Sequence, residues 1–201
     1  MLEELFNLVK GTAASSVINN PDVPNEKNDE VVAEATNTVA SGLRNMVAGG
    51  GLQNIIALFT GNQQAGKSGL LSNPIVNMMV GHFAGKLMSK FNLGGQQANN
   101  VANDLIPGVI SNLVNKSNDP NDGSFSLEKL LASITGGQTE QLAQESGFNL
   151  EDLVRQFSGS GQQDGTNGGL MDIVSQLAGG AQQQQQRNGG GLLDIIKGFT
   201  R

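Results

Sequence analysis

The sequence predicts an all-α protein: a bundle of short amphipathic helices followed by a Gly/Gln-rich C-terminal tail. Three observations indicate this fold class. Apolar residues recur with helical spacing, no stretch sustains the alternation of a strand, and glycine separates the periodic segments. The clearest sign is an eight-residue pattern, apolar at positions 1, 4, 5 and 8, which we call the octad. It occurs six times, at Leu2-Leu5-Phe6-Val9, Leu52-Ile55-Ile56-Phe59, Leu127-Leu130-Leu131-Ile134, Leu150-Leu153-Val154-Phe157, Leu170-Ile173-Val174-Leu177 and Leu192-Ile195-Ile196-Phe199.

Glycines after the octads are expected to end their helices. They follow the first five octads at the same offset, at Gly11, Gly61, Gly136, Gly159 and Gly179. A helix of two turns is unstable alone in water, because its nucleation is unfavourable and it forms few hydrogen bonds. Each octad must therefore bury its apolar stripe against a neighbour or a partner.

The first half of the chain is predicted to contain four helices. A first helix covers 2–18, with a possible break at Gly11, and a turn covers 19–25. A second covers about 29–48 and ends at three glycines, 49–51. The second octad and a polar loop, 60–71, come next. Asn73 and Pro74 then predict an N-cap and first residue for a helix over about 74–91. Its apolar face comprises Val76, Met79, Val80, Phe83, Leu87 and Phe91.

The second half begins with a turn at Leu93-Gly94-Gly95 into a helix over 96–106. Pro107 is expected to start a separate short helix ending at Val114. We divide the chain into a helical bundle, 1–117, a turn with additional short helices, 118–157, and a tail, 158–201. Ser126 is expected to cap the third octad. The tail has flexible spacers at 158–169 and 179–191, with helices near 170–178 and 192–200.

Composition argues against several classes of function. The net charge of −6 and the pI near 4.7 argue against a nucleic-acid partner, because such binding depends on clustered Lys and Arg. The chain has no Cys, which excludes disulfides and thiolate metal sites. The acids Glu3 and Glu4 do not suit a signal peptide, and no apolar run is long enough to span a bilayer. A cytoplasmic protein is expected.

Residues 61–68 match the phosphate-loop pattern G-x-x-x-x-G-K-[ST], with Gly61, Gly66, Lys67 and Ser68 at its defining positions. A working loop needs a buried strand before it and a long helix after it. Here the preceding segment has helical periodicity, and Pro74 arrives before a helix from Lys67 could complete two turns. Nucleotide binding at these residues is therefore only a remote alternative.

Residues 118–129 resemble part of a calcium-binding loop, but the ligands do not fit. Pro120 would occupy the third ligand position and Lys129 the twelfth, where calcium requires oxygen and a carboxylate. A turn followed by a helix cap is the better interpretation.

No catalytic constellation is present in the sequence. His82 is the one histidine, and no acidic residue lies within a helical turn of it. The paired acids occupy first turns or polar faces, where they favour the helix dipole. We predict no catalytic residues, no metal site and no cofactor, and therefore a protein that is not an enzyme.

The helix–turn–helix arrangement over 74–116 raises DNA binding as the alternative function. The segment that would read bases, 96–106, has Asp104 as its one charged residue. Phosphate contacts would depend on Lys86, Lys90 and Lys116.

Residues 74–116 resemble the uncharacterised bacterial helical family related to YidB, the domain of unknown function numbered 937. The resemblance rests on the helix ending Lys86-Leu-Met-Ser-Lys-Phe91, the Leu93-Gly94-Gly95 turn, the Ala/Gln/Asn-rich helix 96–105 and the Leu105-Ile106-Pro107 junction. The segments 19–30 and 118–122 look like versions found in Bacteroidetes. The resemblance covers about 1–136 and implies a homeodomain-like helical bundle with no known activity.

The function expected from the sequence is that of a structural or interaction protein, a homo-oligomer or the binder of a protein partner, with no small-molecule substrate identified. The last two octads suggest docking helices, because flexible spacers would add reach and multivalency. The alternative is that they pack on the chain's own bundle. The expected docking residues are Leu170, Ile173, Val174, Leu177, Leu192, Ile195, Ile196 and Phe199.

Overall fold

A computed structural model describes residues 2–60, 67–119 and 125–135, together with 175–176, 178–179 and 182–183. These residues form helices and contain no strand, which confirms the all-α fold class. The α-helices are α1 (Leu2–Ala13), α2 (Asn28–Ala48), α3 (Leu52–Thr60), α4 (Lys67–Leu71), α5 (Pro74–Phe91), α6 (Gly95–Ser117) and α7 (Leu127–Thr135). A π-helical turn, Ala14–Ile18, continues α1, and a 3₁₀ turn, Asn25–Lys27, leads into α2.

Helix α2 lies at the centre of the bundle and contacts α1, α3, α5, α6 and α7. Helices α5 and α6 form a hairpin and pack along each other. One hydrophobic core fills the space between these helices, with Leu43, Phe59, Phe83 and Leu105 fully buried. Within the described residues, no helix is both long and apolar enough to cross a membrane.

The octads of the described region bury their apolar stripes in this core. Leu52, Ile55, Ile56 and Phe59 of the second octad are completely covered. In the first octad Leu5, Phe6 and Val9 are buried, and in the third Leu130 and Leu131 are buried while Leu127 is half-buried. Helical spacing thus identified the core-facing side correctly. The stripe residues of the last three octads lie outside the described residues.

The prediction that a trailing glycine ends its helix is wrong at Gly11. Helix α1 passes through Gly11 and continues in the π-turn to Ile18. Glycine inside a helix costs only about 1 kcal/mol relative to alanine. The burial of Val9, Ala13 and Val17 along the same helical face more than offsets this cost.

Pro107 does not start a new helix, because α6 is continuous from Gly95 to Ser117 with Pro107 inside it. Proline removes one hydrogen bond to the carbonyl four residues earlier, here that of Asn103. Asn103 is exposed, so water can reach this part of α6. The flanking residues Leu105, Ile106, Val109 and Ile110 are fully buried, and their packing holds the helix together.

The loop predicted over 60–71 is also partly wrong, since α4 forms at its end and buries Leu70. Both predicted caps are confirmed. Asn73 Oδ1 accepts a hydrogen bond from the Ile75 amide at 2.9 Å, and Ser126 Oγ accepts one from the Lys129 amide at 3.1 Å. Between α5 and α6 the left-handed residue is Asn92, at φ 56°, rather than a glycine of the predicted turn.

The core continues past residue 117, because Phe125, Leu130 and Leu131 join it. The described tail residues are helical, including Gly179, Gln182 and Gln183, which the sequence placed in a flexible spacer. The Gln182 side-chain amide donates a hydrogen bond to the Ala48 carbonyl at 3.2 Å. The tail therefore contacts the C-terminal end of α2.

Candidate functional site

The phosphate-loop pattern lies between two helices. Helix α3 precedes it where a strand would be needed, and the five-residue α4 follows it, beginning at Lys67. Gly61 and Gly66 lie outside the described residues, whereas the backbones of Lys67 and Ser68 are described in α4. The helix before the pattern is the one that the periodicity predicted, whereas α4 was not predicted, and a preceding helix with so short a following helix does not suit a phosphate loop.

The calcium-like segment is built around helix ends. Asn118, which would be the first ligand, donates its side-chain amide to the Phe59 carbonyl at 2.7 Å. Lys129 lies in the first turn of α7, where its amide is capped by Ser126. Among the described residues there is no group of three or more His, Cys, Asp and Glu side chains that could hold a metal ion.

His82 lies on the surface of α5, at a groove between α2 and α5 of about 120 Å³. Thr38, Ser41 and Asn45 line the groove from α2, and Met78 and Met79 line it beside His82. Ser41 Oγ donates to Asn37 Oδ1 at 3.2 Å rather than to the imidazole. No carboxylate lines the groove to orient a base, so its described residues lack a nucleophile–base–acid arrangement.

The hydroxyl of Thr38, at this groove, is a buried polar group without a hydrogen bond in the described part of the chain. The side chain is 3% exposed, and its hydroxyl has no hydrogen-bond partner among the described residues. A buried hydroxyl without a partner is unfavourable by about 1–3 kcal/mol. The described residues therefore leave the hydrogen-bonding capacity of this hydroxyl unmet at the wall of the groove.

The solvent side of α5 continues this groove as an uncharged surface. We call it the outer face of α5 and define it by Met78, Gly81, His82, Gly85 and Met88. Met78 is 61% exposed and Met88 is 42% exposed, and they are two of the three exposed large hydrophobic side chains in the described part of the chain. No atom lies within 4 Å of where a Cβ would stand at Gly81 or Gly85. The face is open and suited to a helix that packs closely.

The other side of α5 is packed firmly on α2. A Cβ at Gly42 would stand 2.5 Å from the Met79 Cε, so this glycine permits the close approach of Met79. Glu34 is 2% exposed and receives a 2.5 Å ion pair from Lys90. These contacts fix the orientation of α5 and hold its outer face toward solvent.

Arg44 is another buried polar residue of α2. Its side chain is 7% exposed, and its Nε has no hydrogen-bond partner among the described residues. Burial lowers the pKa of the Arg44 guanidinium below its ordinary value, because desolvation disfavours the charged form.

Of the three lysines that would contact phosphate in the DNA-binding alternative, one already forms an ion pair within the protein. Lys90 is engaged with Glu34 and is less available for phosphate. The N-terminal half of α6 does present exposed amide side chains, including Gln96, Asn99, Asn100 and Asn103. Such amides can read base edges, but they do not supply the electrostatic part of the affinity.

The outer face of α5 was missed by sequence reasoning, which assigned docking to the tail. The signal was present as Gly81-x-x-x-Gly85 between Met78 and Met88, with no charged residue on that side of the helix. The expected docking residues of the tail, from Leu170 to Phe199, lie outside the described residues.

Comparison with protein-family models gives no match, and neither curated proteins nor solved structures give one.

Proposed function

We propose that this protein is a non-catalytic interaction protein that self-associates through short amphipathic helices. The supporting observation is how the octad side chains pack in the described part of the chain. The described stripe residues are buried in a core that other helices complete, except Leu127, which is half-buried and packs against that core. An octad is therefore a module that needs a surface to cover it.

The tail octads are the proposed docking helices. Leu170, Ile173, Val174 and Leu177 form the first stripe, and Leu192, Ile195, Ile196 and Phe199 form the second. Two copies of one module on a single chain give bivalent binding, which raises the avidity of weak individual contacts. A cytoplasmic location and relation to the YidB-related bacterial family belong to the same proposal.

The test uses the full chain and substitutes one stripe residue in each tail octad. Ile173→Ser with Ile195→Ser should lower the average mass measured by light scattering at high protein concentration, with little change in Tm. The matched control is Met171→Ser with Leu193→Ser, which alters apolar residues of the same octads outside the stripe. It should leave the mass unchanged. A large loss of Tm with no change in mass would show that the tail packs on its own bundle, and would overturn the proposal.

DNA binding is the second candidate, favoured only by the exposed amide side chains of α6. Its test is a salt titration with duplex DNA. Affinity that falls steeply with salt would support it, because phosphate contacts release counterions. Self-association through apolar stripes should not weaken as salt rises.

A further inference from the structure

The outer face of α5 has a symmetric arrangement along the helix. Gly81 and Gly85 lie equally far from Phe83 on either side, and Met78 and Met88 lie equally far beyond them. A two-fold axis near Phe83 that reverses the helix direction would place each glycine opposite a glycine and each methionine opposite a methionine. This is the property of an isologous interface, in which one patch serves both copies.

We propose that two copies of this chain pair through the outer faces of α5, antiparallel and centred near Phe83. The contact is separate from the tail octads and would add a second interface to the proposed self-association. The glycines let the two helix backbones approach closely, and the exposed methionines cover the ends of the contact.

A second copy suits this face for an electrostatic reason. Each chain carries a net charge of −6, so most pairs of surfaces would bring like charges together. The outer face of α5 has no Asp, Glu, Lys or Arg, and two such faces meet without that penalty. Lys86 and Lys90 lie toward the C-terminal end of α5, so parallel pairing would bring lysines together, whereas antiparallel pairing separates them.

The groove beside the face provides an independent sign of a missing partner. The buried Thr38 hydroxyl has no described partner, and it lines the groove at the Met78 and His82 end of the face. Antiparallel pairing brings the C-terminal end of the second α5 to this position.

The pairing should be weak and reversible. Helix α5 has 18 residues and is about 27 Å long, so one helix-to-helix contact is small compared with the roughly 1,200–2,000 Å² of a stable interface. A dimer that forms at high protein concentration and dissociates on dilution is the expected state.

The first experiment measures the dimer by sedimentation velocity of the full chain over a concentration series. Gly81→Ala with Gly85→Ala should weaken pairing by about tenfold or more, because added Cβ atoms hold the helices apart. The same substitutions should raise the Tm at high dilution, since both sites are open and alanine favours helix. Gly11→Ala is the matched control, because Gly11 is also helical and open. It should raise the Tm without changing the pairing.

The second experiment tests the antiparallel geometry by disulfide formation, which is simple because the chain has no Cys. A mixture of Met78→Cys and Met88→Cys chains should form cross-linked dimers. Either variant alone should not, because the ten-residue offset separates equivalent positions by about 15 Å, beyond the limit of about 7 Å between Cα atoms. Cross-linking of either variant on its own, or no cross-linking in the mixture, would overturn the antiparallel arrangement.

The two proposals can fail separately. A dimer weakened by Ile173→Ser with Ile195→Ser, but unaffected by the α5 glycine substitutions, would overturn the α5 interface and leave the tail proposal standing. A dimer weakened only by the α5 substitutions would do the reverse. A chain that stays monomeric at every concentration would overturn both.

Discussion

Helices α2 and α5 pack against each other but differ in how they are covered. Helix α2 is surrounded by five other helices, and most of its residues are buried, including Glu34, Thr38 and Arg44. Helix α5 buries one stripe and leaves its outer face to solvent. The central helix thus encloses polar groups of which only Glu34 has an ion-pair partner among the described residues, whereas the peripheral helix leaves a surface open to another molecule.

The largest difference between the two sides of α5 should appear when each loses a large side chain. Phe83→Ala removes a fully buried ring from the inner side and should lower the free energy of unfolding by about 3–5 kcal/mol. Met78→Ala on the outer face should change it by less than about 0.5 kcal/mol. Urea denaturation of the dilute chain measures both. Similar losses for the two would mean that the outer face is covered within its own chain.

Removing the partner of Glu34 should have the next largest effect. Lys90→Met leaves a buried carboxylate without its ion pair and should cost about 1–3 kcal/mol. Lys10→Met is the matched control, because Lys10 pairs with Asp29 at 3.1 Å on the surface with both side chains about half exposed. It should cost less than about 0.5 kcal/mol. Equal effects in thermal unfolding would contradict the structural role given to Glu34.

The contact between α2 and α5 should not tolerate a larger residue at Gly42. Gly42→Ala places a methyl group against Met79 and should cost about 1–3 kcal/mol, since the core is already filled. Gly81→Ala, on the open side of the same helix pair, should instead stabilise by up to about 1 kcal/mol. The sign of the change in Tm separates the two sites. A gain at Gly42 would show that Met79 moves aside without loss of packing.

Replacing Arg44 should give the smallest effect, and it should stabilise the protein. Because burial lowers its pKa, the unfolded chain binds this proton more tightly than the folded chain does. The charge therefore opposes folding at every pH below the folded pKa, and this opposition declines only as the pH rises into the strongly alkaline range. Arg44→Met should raise stability by about 1 kcal/mol at neutral pH, with the same difference from pH 5 to pH 9. A loss of stability would instead show that the guanidinium has an anionic partner.

Much of the fold was predictable because helical spacing reports directly on burial. The predicted apolar positions of α3 and α5 are buried, apart from the half-buried Phe91, and the Asn73 and Ser126 caps form as expected. The helix ends were less predictable at Gly11 and Pro107, because local propensity there is small compared with the burial of neighbouring side chains. The sequence contains one sign of the candidate site, the glycine spacing in α5, and sequence reasoning missed it.

The helical class, the core-facing stripes and the repeated octads follow from the order of apolar and polar residues along one chain. Which surfaces stay open depends on how the helices pack. Gly42 and Gly81 look equivalent in the sequence, yet one accommodates Met79 and the other faces empty space. The environment of a side chain depends on which helices pack against it, and this packing brings together residues that are far apart in the chain.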